Sequence, residues 1–189
     1  MAIDWSAMLA RRREEIERQK HVFNVLVAGD KEFVSDGVSY YVSNGELCTC
    51  SNMEYVTSAL DRLLHKKVEE NFTIEMHTTD GQGTAKIAEQ YATQKNYDIY
   101  INEADWDSNG NRAGWIRNED MVLSLNMKPN KAAIIFWDGE DKFTEHIVFL
   151  CGHHDIQMRI YNYKSRKWLN KDEVEEVVHI ATRRQINYM

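Results

Sequence analysis

The sequence predicts an α/β protein: a Rossmann-like, doubly wound, mainly parallel sheet of about five strands, with a β-hairpin insertion and terminal helices. Three observations lead there. Residues 22–28 and 132–137 are near-continuous apolar runs of strand length, the pattern of strands buried on both faces. Segments with helical apolar spacing alternate with the strand runs, as βα units require. Glycines follow the strand ends, at Gly29, Gly81, Gly83, Gly110 and Gly139, where an open α/β sheet places its ligand-binding loops.

Each element has its own signal. Asp4 is placed to cap a helix ending near Lys20, with Arg11, Arg12 and Arg13 ahead of Glu14, Glu15 and Glu17 at ion-pairing distances, and with Trp5, Met8, Leu9 and Ile16 left to dock on the body or on a second subunit. Residues 22–28 form the first central strand. Asn44-Gly45 between 38–42 and 46–50 signals a hairpin, an insertion at the ligand-facing edge. Ser51 or Asn52 caps a helix to about Glu70, using Tyr55, Val56, Ala59, Leu60, Leu63 and Leu64 as its buried stripe. A strand over 72–77 follows, then a helix over 84–94 with Ile87, Ala88, Tyr91 and Ala92 inward. Residues 97–102 have strand alternation, and Ile116, Met121, Val122 and Leu125 mark a helix that puts Gly110 and Gly114 in the preceding loop and Arg117 and Asn118 in its first turn. A strand over 132–137, a helix over 144–151 and a strand over 156–161 complete the alternation. Residues 166–169 read as a connector, and Asn170 or Asp172 caps a last helix with Val174, Val177, Val178 and Ala181 on its apolar face. The organisation is therefore an N-terminal helix (1–20), a Rossmannoid domain (21–164) and a helical tail of the same domain (165–189).

At 189 residues the chain fits one domain with a proper core. With 43% hydrophobic and 28% charged residues it has the composition of a soluble globular protein, and neither a spanning apolar run nor a signal-peptide start is present, so a cytoplasmic setting without membrane association is expected. The net charge of −7 makes nucleic acid an unlikely partner, because phosphate neutralisation needs a basic surface. Cys48, Cys50 and Cys151, even with His153 and His154, fit no common zinc spacing, and a buried or surface role is the simpler reading. Asp105-x-Asp107-x-Asn109-Gly110 imitates the start of a calcium loop, but the twelfth position is Ile116 rather than a bidentate glutamate. No metal and no cofactor is expected.

The densest chemistry lies between Ala104 and Met121. Ala104-Asp105-Trp106, Gly110, Ala113-Gly114, Arg117-Asn118 and Met121 together resemble the signature of the YspA-like branch of the SLOG (Smf/DprA-LOG) superfamily. The resemblance covers roughly residues 22–161 and implies a Rossmann-like fold that handles nucleotides and nucleotide-derived ligands. Three more strand ends extend it. Gly29-Asp30-Lys31 stands where relatives have Gly-Ser-Arg, with Lys31 keeping the cation. Thr79 to Ala85 is similar to a Gly-Gly-Ala-x-Gly-Ala-Asp turn, with Gly83 retained. Phe136 to Thr144 resembles the Trp-Asp-Gly-x-Ser-x-Gly-Thr phosphate loop, with Asp141 in place of serine and Phe143 in place of glycine. A bulky Phe143 restricts close phosphate approach, so that loop is expected either to stack on a base or ribose or simply to pack.

The candidate ligand-binding residues are Gly29, Lys31, Gly81, Gly83, Trp106, Arg117, Asn118, Gly139 and Thr144. Arg117 offers a fork for phosphate, Asn118 an amide for a polar edge, Trp106 a stacking wall, and the glycines close backbone approach. The LOG enzymes of the superfamily are phosphoribohydrolases and also place an arginine four residues before a methionine, as Arg117 and Met121 stand here. Their glutamate three residues after the loop threonine is Ile147 in this chain, and an oxocarbenium-like transition state needs a carboxylate. Glu145, Asp105, Asp138 and Asp141 are the conceivable substitutes, and no catalytic residue is assigned. The expected function is therefore binding of an ADP-ribose-like or cyclic nucleotide signal by a stand-alone domain, for sequestration or sensing, including as a phage antagonist of nucleotide-based defence. Nucleotide N-glycosidase activity of the LOG type is the alternative, and a homodimer or higher homo-oligomer is the expected assembly.

Overall fold

The computed structural model describes residues 5–31, 33, 38–41, 47–50 and 52–186. The expected caps Asp4 and Ser51, and the Asn44-Gly45 turn, lie outside them. Helix α1 (Trp5–Lys20) leads into β1 (Val22–Gly29), followed by the hairpin strands β2 (Val38–Tyr41) and β3 (Leu47–Cys50) and by α2 (Asn52–Glu69). Then come β4 (Thr73–Thr79), α3 (Thr84–Lys95), β5 (Asp98–Asn102), a short α4 (Trp106–Asn109) and a 3₁₀ turn (Gly110–Arg112). The chain continues through α5 (Ala113–Asn126), β6 (Lys131–Trp137), α6 (Lys142–His153), β7 (Met158–Asn162), β8 (Lys167–Trp168) and α7 (Lys171–Ile186).

The main sheet has the order β5-β4-β1-β6-β7-β8. Its first five strands are parallel, and β8 pairs antiparallel with β7 through Tyr161↔Trp168 and Asn162↔Lys167. The stretch expected to be a plain connector thus adds a sixth, two-residue strand, too short to register as a periodic pattern. The hairpin strands pair with each other as a separate two-stranded sheet, Val38↔Cys50 to Tyr41↔Leu47.

Alternation along the buried strands sends successive side chains into two cores. On one face Val25, Val27, Ile74, Met76, Ile134 and Phe136 meet Val56, Ala59, Leu60 and Leu64 of α2 and Ile87, Ala88, Tyr91 and Ala92 of α3. On the other, Leu26, Ala28, Ala133, Ile135 and Ile160 meet Met121, Val122 and Leu125 of α5 and Ile147, Val148 and Cys151 of α6. Each fully buried aliphatic side chain contributes about 1.5–3 kcal/mol of transfer free energy. Helix α7 extends the second core with Val174, Val177 and Val178, and it begins at a reciprocal cap, in which Glu173 N–H donates to Asn170 Oδ1 and Asn170 N–H to Glu173 Oε2. No helix among the described residues is long and apolar enough to cross a membrane.

Two helix starts differ from the sequence expectation and reposition functional groups. Helix α5 begins at Ala113, not near Ile116, because the 3₁₀ turn feeds directly into it. Gly114 is therefore a buried helical residue rather than a loop residue, and Arg117 and Asn118 stand in the second turn. Helix α6 begins at Lys142 because the Asp141 side chain accepts the Thr144 N–H at 2.7 Å, the geometry of an N-cap. Phe143 thus belongs to a helix, not to a loop.

Candidate functional site

The strand order reverses between β1 and β6, which both pair in parallel but lead to helices on opposite faces. Loops diverge at such a switch point and leave a crevice beyond the C-terminal strand ends. A cleft of about 320 Å³ opens there, lined by Ala28, Gly29 and Lys31 after β1, Thr79, Gly81 and Gln82 after β4, Trp106 of α4, Gly114 and Arg117 of α5, and Asp141, Phe143, Thr144 and Ile147 before and within α6. That size falls within the range of small-molecule sites.

Six of the nine sequence-derived residues line this cleft: Gly29, Lys31, Gly81, Trp106, Arg117 and Thr144. The other three lie beside it. Gly83 has φ +65° and packs under the β1 loop, where a Cβ would stand 2.4 Å from the Asp30 carbonyl oxygen. Asn118 is fully buried, its amide donating to the Phe143 carbonyl at 3.0 Å and its Oδ1 accepting from Arg117. Gly139, at φ +93°, turns the loop after β6 beside Asn162.

Gly29 holds the cleft floor together. A Cβ there would come within 2.3 Å of the Phe136 carbonyl oxygen and 2.6 Å of Thr84 Oγ1, so β1, β6 and the start of α3 converge at a point where a side chain cannot fit. The guanidinium of Arg117 is oriented before any ligand arrives: NH1 donates to Asp80 Oδ1 at 2.7 Å, and Nε and NH2 donate to Asn118 Oδ1. Asp80 Oδ2 also accepts the Ala104 N–H, which ties the β4 and β5 loops together.

The two helix starts nearest the cleft differ electrostatically. Helix α3 begins after Gly83 with no side-chain cap, and its first residues Thr84 and Ala85 are buried. Helix α6 is closed by Asp141, whose backbone oxygen also accepts from Trp137 Nε1. Behind it lies Asp30, 3% exposed, accepting from Asp138 N–H, from Thr144 Oγ1 and, in a very short contact, from the Tyr163 hydroxyl. Burial pushes the Asp30 carboxyl up to about 7 against the pull of the Tyr163 hydrogen bond, and the carboxylates of Asp138 and Asp141 add to the rise. Sequence reasoning missed this network. Asp141-x-x-Thr144 before a helix was a readable cap signal, whereas Tyr163 lies 133 positions from Asp30 and left no local trace.

The carboxylates considered for catalysis have structural partners. Asp105 caps α4 by accepting the Ser108 N–H, Asp138 accepts the N–H groups of Glu140 and Asp141, and Glu145 is buried against Arg184 at 2.6 Å. Ile147 lines the cleft. Cys151 is buried, with its thiol pushed up to about 12 by desolvation, and the side chains of Cys48 and Cys50 lie outside the described residues.

Fold and site together define a Rossmann-like α/β protein with an amphipathic cleft at its switch point. No protein-family model matches the chain, and no curated protein is similar to it in sequence. Among solved structures it is similar to a Vibrio cholerae protein assigned as a 3-deoxy-D-manno-octulosonate 8-phosphate phosphatase, with 14% identity and a TM-score of 0.30 over 90% of this chain and 88% of that one. So slight a likeness has no bearing on the site.

Proposed function

We propose that the cleft binds a nucleotide-derived ligand, of the ADP-ribose or cyclic-nucleotide kind, and that the protein acts in the manner of a SLOG domain by capturing or sensing it. The observation that supports this reading is the mixed chemistry of one cleft lining: Lys31 and Arg117 favour an anion, and Trp106 and Phe143 offer aromatic surface for a base. Cleavage has less support. Ile147 lines the cleft where the LOG resemblance implies a glutamate, and Glu145 is held away by Arg184.

The test is to incubate the protein with adenine and guanine nucleotides, ADP-ribose and cyclic nucleotides, denature it, and identify the released molecules by mass spectrometry. An intact ligand is expected, and Arg117→Ala should weaken its binding by about 1.5–3 kcal/mol, the scale of a charge-assisted hydrogen bond. Recovery of free base and ribose phosphate would replace this reading with a hydrolytic one, and no binding at micromolar concentration would remove it.

A further inference from the structure

We propose that a second cavity, between α2 and the β7–β8 edge of the sheet, binds a small aromatic anion: a flat ring that carries a carboxylate or a phosphate. The cavity holds about 330 Å³, within the range of small-molecule sites, and shares no lining residue with the switch-point cleft. Tyr55, Ser58, Ala59 and Arg62 enter it from one face of α2, at the spacing of a helical stripe. Tyr161 of β7 and Trp168 of β8 meet them from the sheet. Their rings form a continuous wall, with centroids 4.7 Å apart for Tyr55 and Tyr161 and 5.4 Å apart for Tyr161 and Trp168. Such a wall receives a further flat ring in an offset or edge-on arrangement.

Charge sets the other half of the ligand. In a chain of net charge −7, the cavity is lined by Arg62, Arg166 and Lys167 and, among the described residues, by no carboxylate. Lys167 is taken by Glu173 in a very short contact, and Asp61, next to Arg62 in the chain, is held by Lys95 at 2.7 Å. Among the described residues neither Arg62 nor Arg166 has an ion-pair partner, unlike Arg117 of the cleft, which Asp80 already engages. The charge of Arg62 reaches the aromatic wall: burial pushes the Tyr55 hydroxyl up, and the guanidinium pulls against it. Arg166 stands in the β7–β8 turn at φ +56°, a left-handed conformation that favours glycine, while the Ser165 N–H donates to Asn162 Oδ1 at 2.8 Å in the same turn. The backbone gives no reason for an arginine there, whereas the cavity does. Two guanidinium groups without carboxylates beside an aromatic wall match one anionic group and one ring.

Titration of the isotope-labelled full chain with phenyl phosphate and with phenylacetate, followed by NMR at the Trp168 indole N–H, tests the site. The two probes separate a preference for phosphate from one for carboxylate. At least one is expected to saturate with a Kd below about 1 mM, while benzyl alcohol and inorganic phosphate, which each lack half of the chemistry, bind at least about tenfold more weakly. Arg62→Gln and Arg166→Gly should each weaken the preferred probe by about fivefold or more. Both side chains are exposed and glycine suits the turn at Arg166, so the fold survives either change. Arg117→Ala should leave this binding as it is, which keeps the outcome separate from that of the cleft. The proposal is overturned if neither probe shifts Trp168 with a Kd below about 1 mM, if either arginine variant binds as the wild type does, or if benzyl alcohol or inorganic phosphate binds as tightly as the aromatic anions.

Discussion

Gly114 of α5 and Phe143 of α6 share one volume: a methyl group on Gly114 would stand 2.6 Å from Phe143 Cε1. Trp115 packs on the same ring, with centroids 5.5 Å apart, and His146 lies 4.6 Å from Trp115, so the direction open to a displaced Phe143 is the cleft that both Gly114 and Phe143 line. Gly114→Ala should therefore cost about 1–3 kcal/mol by overpacking and narrow the cleft. Urea unfolding measures the loss, and Phe143→Leu in the same chain should restore part of it. Unchanged stability would mean that the ring turns aside without strain.

Asp30 makes stability depend on pH in a defined direction. Its carboxyl rises from an ordinary 3.8 to about 7 in the folded protein, first through burial. The native state then holds a proton that the unfolded chain has released, so this contribution is complete below about pH 4 and is lost as pH rises toward 7. His77 and His146, both lowered to about 4 by burial, act oppositely: their contribution is present above about pH 6.5 and is lost as pH falls toward 4. The difference between Asp30→Asn and wild type isolates the carboxyl. That difference should move in favour of the variant by about 2–4 kcal/mol between pH 4 and pH 7. A flat difference in calorimetry at several pH values would place the Asp30 titration elsewhere.

The Asp80 carboxylate competes with any anion for Arg117, because it already accepts from NH1 at 2.7 Å. Asp80→Asn keeps an oxygen for the Ala104 N–H and removes the negative charge. A phosphate-bearing ligand should bind on the order of fivefold more tightly to this variant in isothermal titration, since one repulsive neighbour is gone. Weaker binding would show that Asp80 acts chiefly by aiming the guanidinium.

Glu145 is 4% exposed and depends on the half-exposed Arg184, which reaches it from α7. Arg184→Ala leaves that carboxylate buried without its cation, at a cost of about 1–3 kcal/mol, below the full figure for a buried pair because one partner is solvated. Adding Glu145→Gln should recover most of the loss in thermal unfolding. Failure to recover would assign the effect to α6–α7 packing instead.

The βα alternation, the mainly parallel sheet and most helix stripes were legible because burial on both faces of a parallel sheet imposes long apolar runs; the order of the strands was not, since pairing partners leave no local pattern. Tyr55, Val56, Ala59, Leu60 and Leu64 fall on the core face of α2 as their spacing implies. The ligand loops were legible as regions, through glycines that follow strand ends. Individual contacts were not. Asn118 reads as a polar group offered to a ligand, yet it is fully buried between Arg117 and the Phe143 carbonyl, a bond across 25 positions. Helix starts moved by two or three residues where Asp141 supplied a cap and where a 3₁₀ turn preceded Ala113. The lone pair of β8 residues carried no period at all.

The position of β1 at the centre of the sheet also sets a timetable. Of its two neighbours in the sheet, β4, beginning at Thr73, is synthesised before β6, which pairs with Gly29 opposite Phe136. An apolar strand edge stays open while about a hundred residues are added, at translation rates of roughly 5–20 residues per second. Val25, Leu26 and Val27, fully buried in the finished sheet, are the residues that such an open edge would expose.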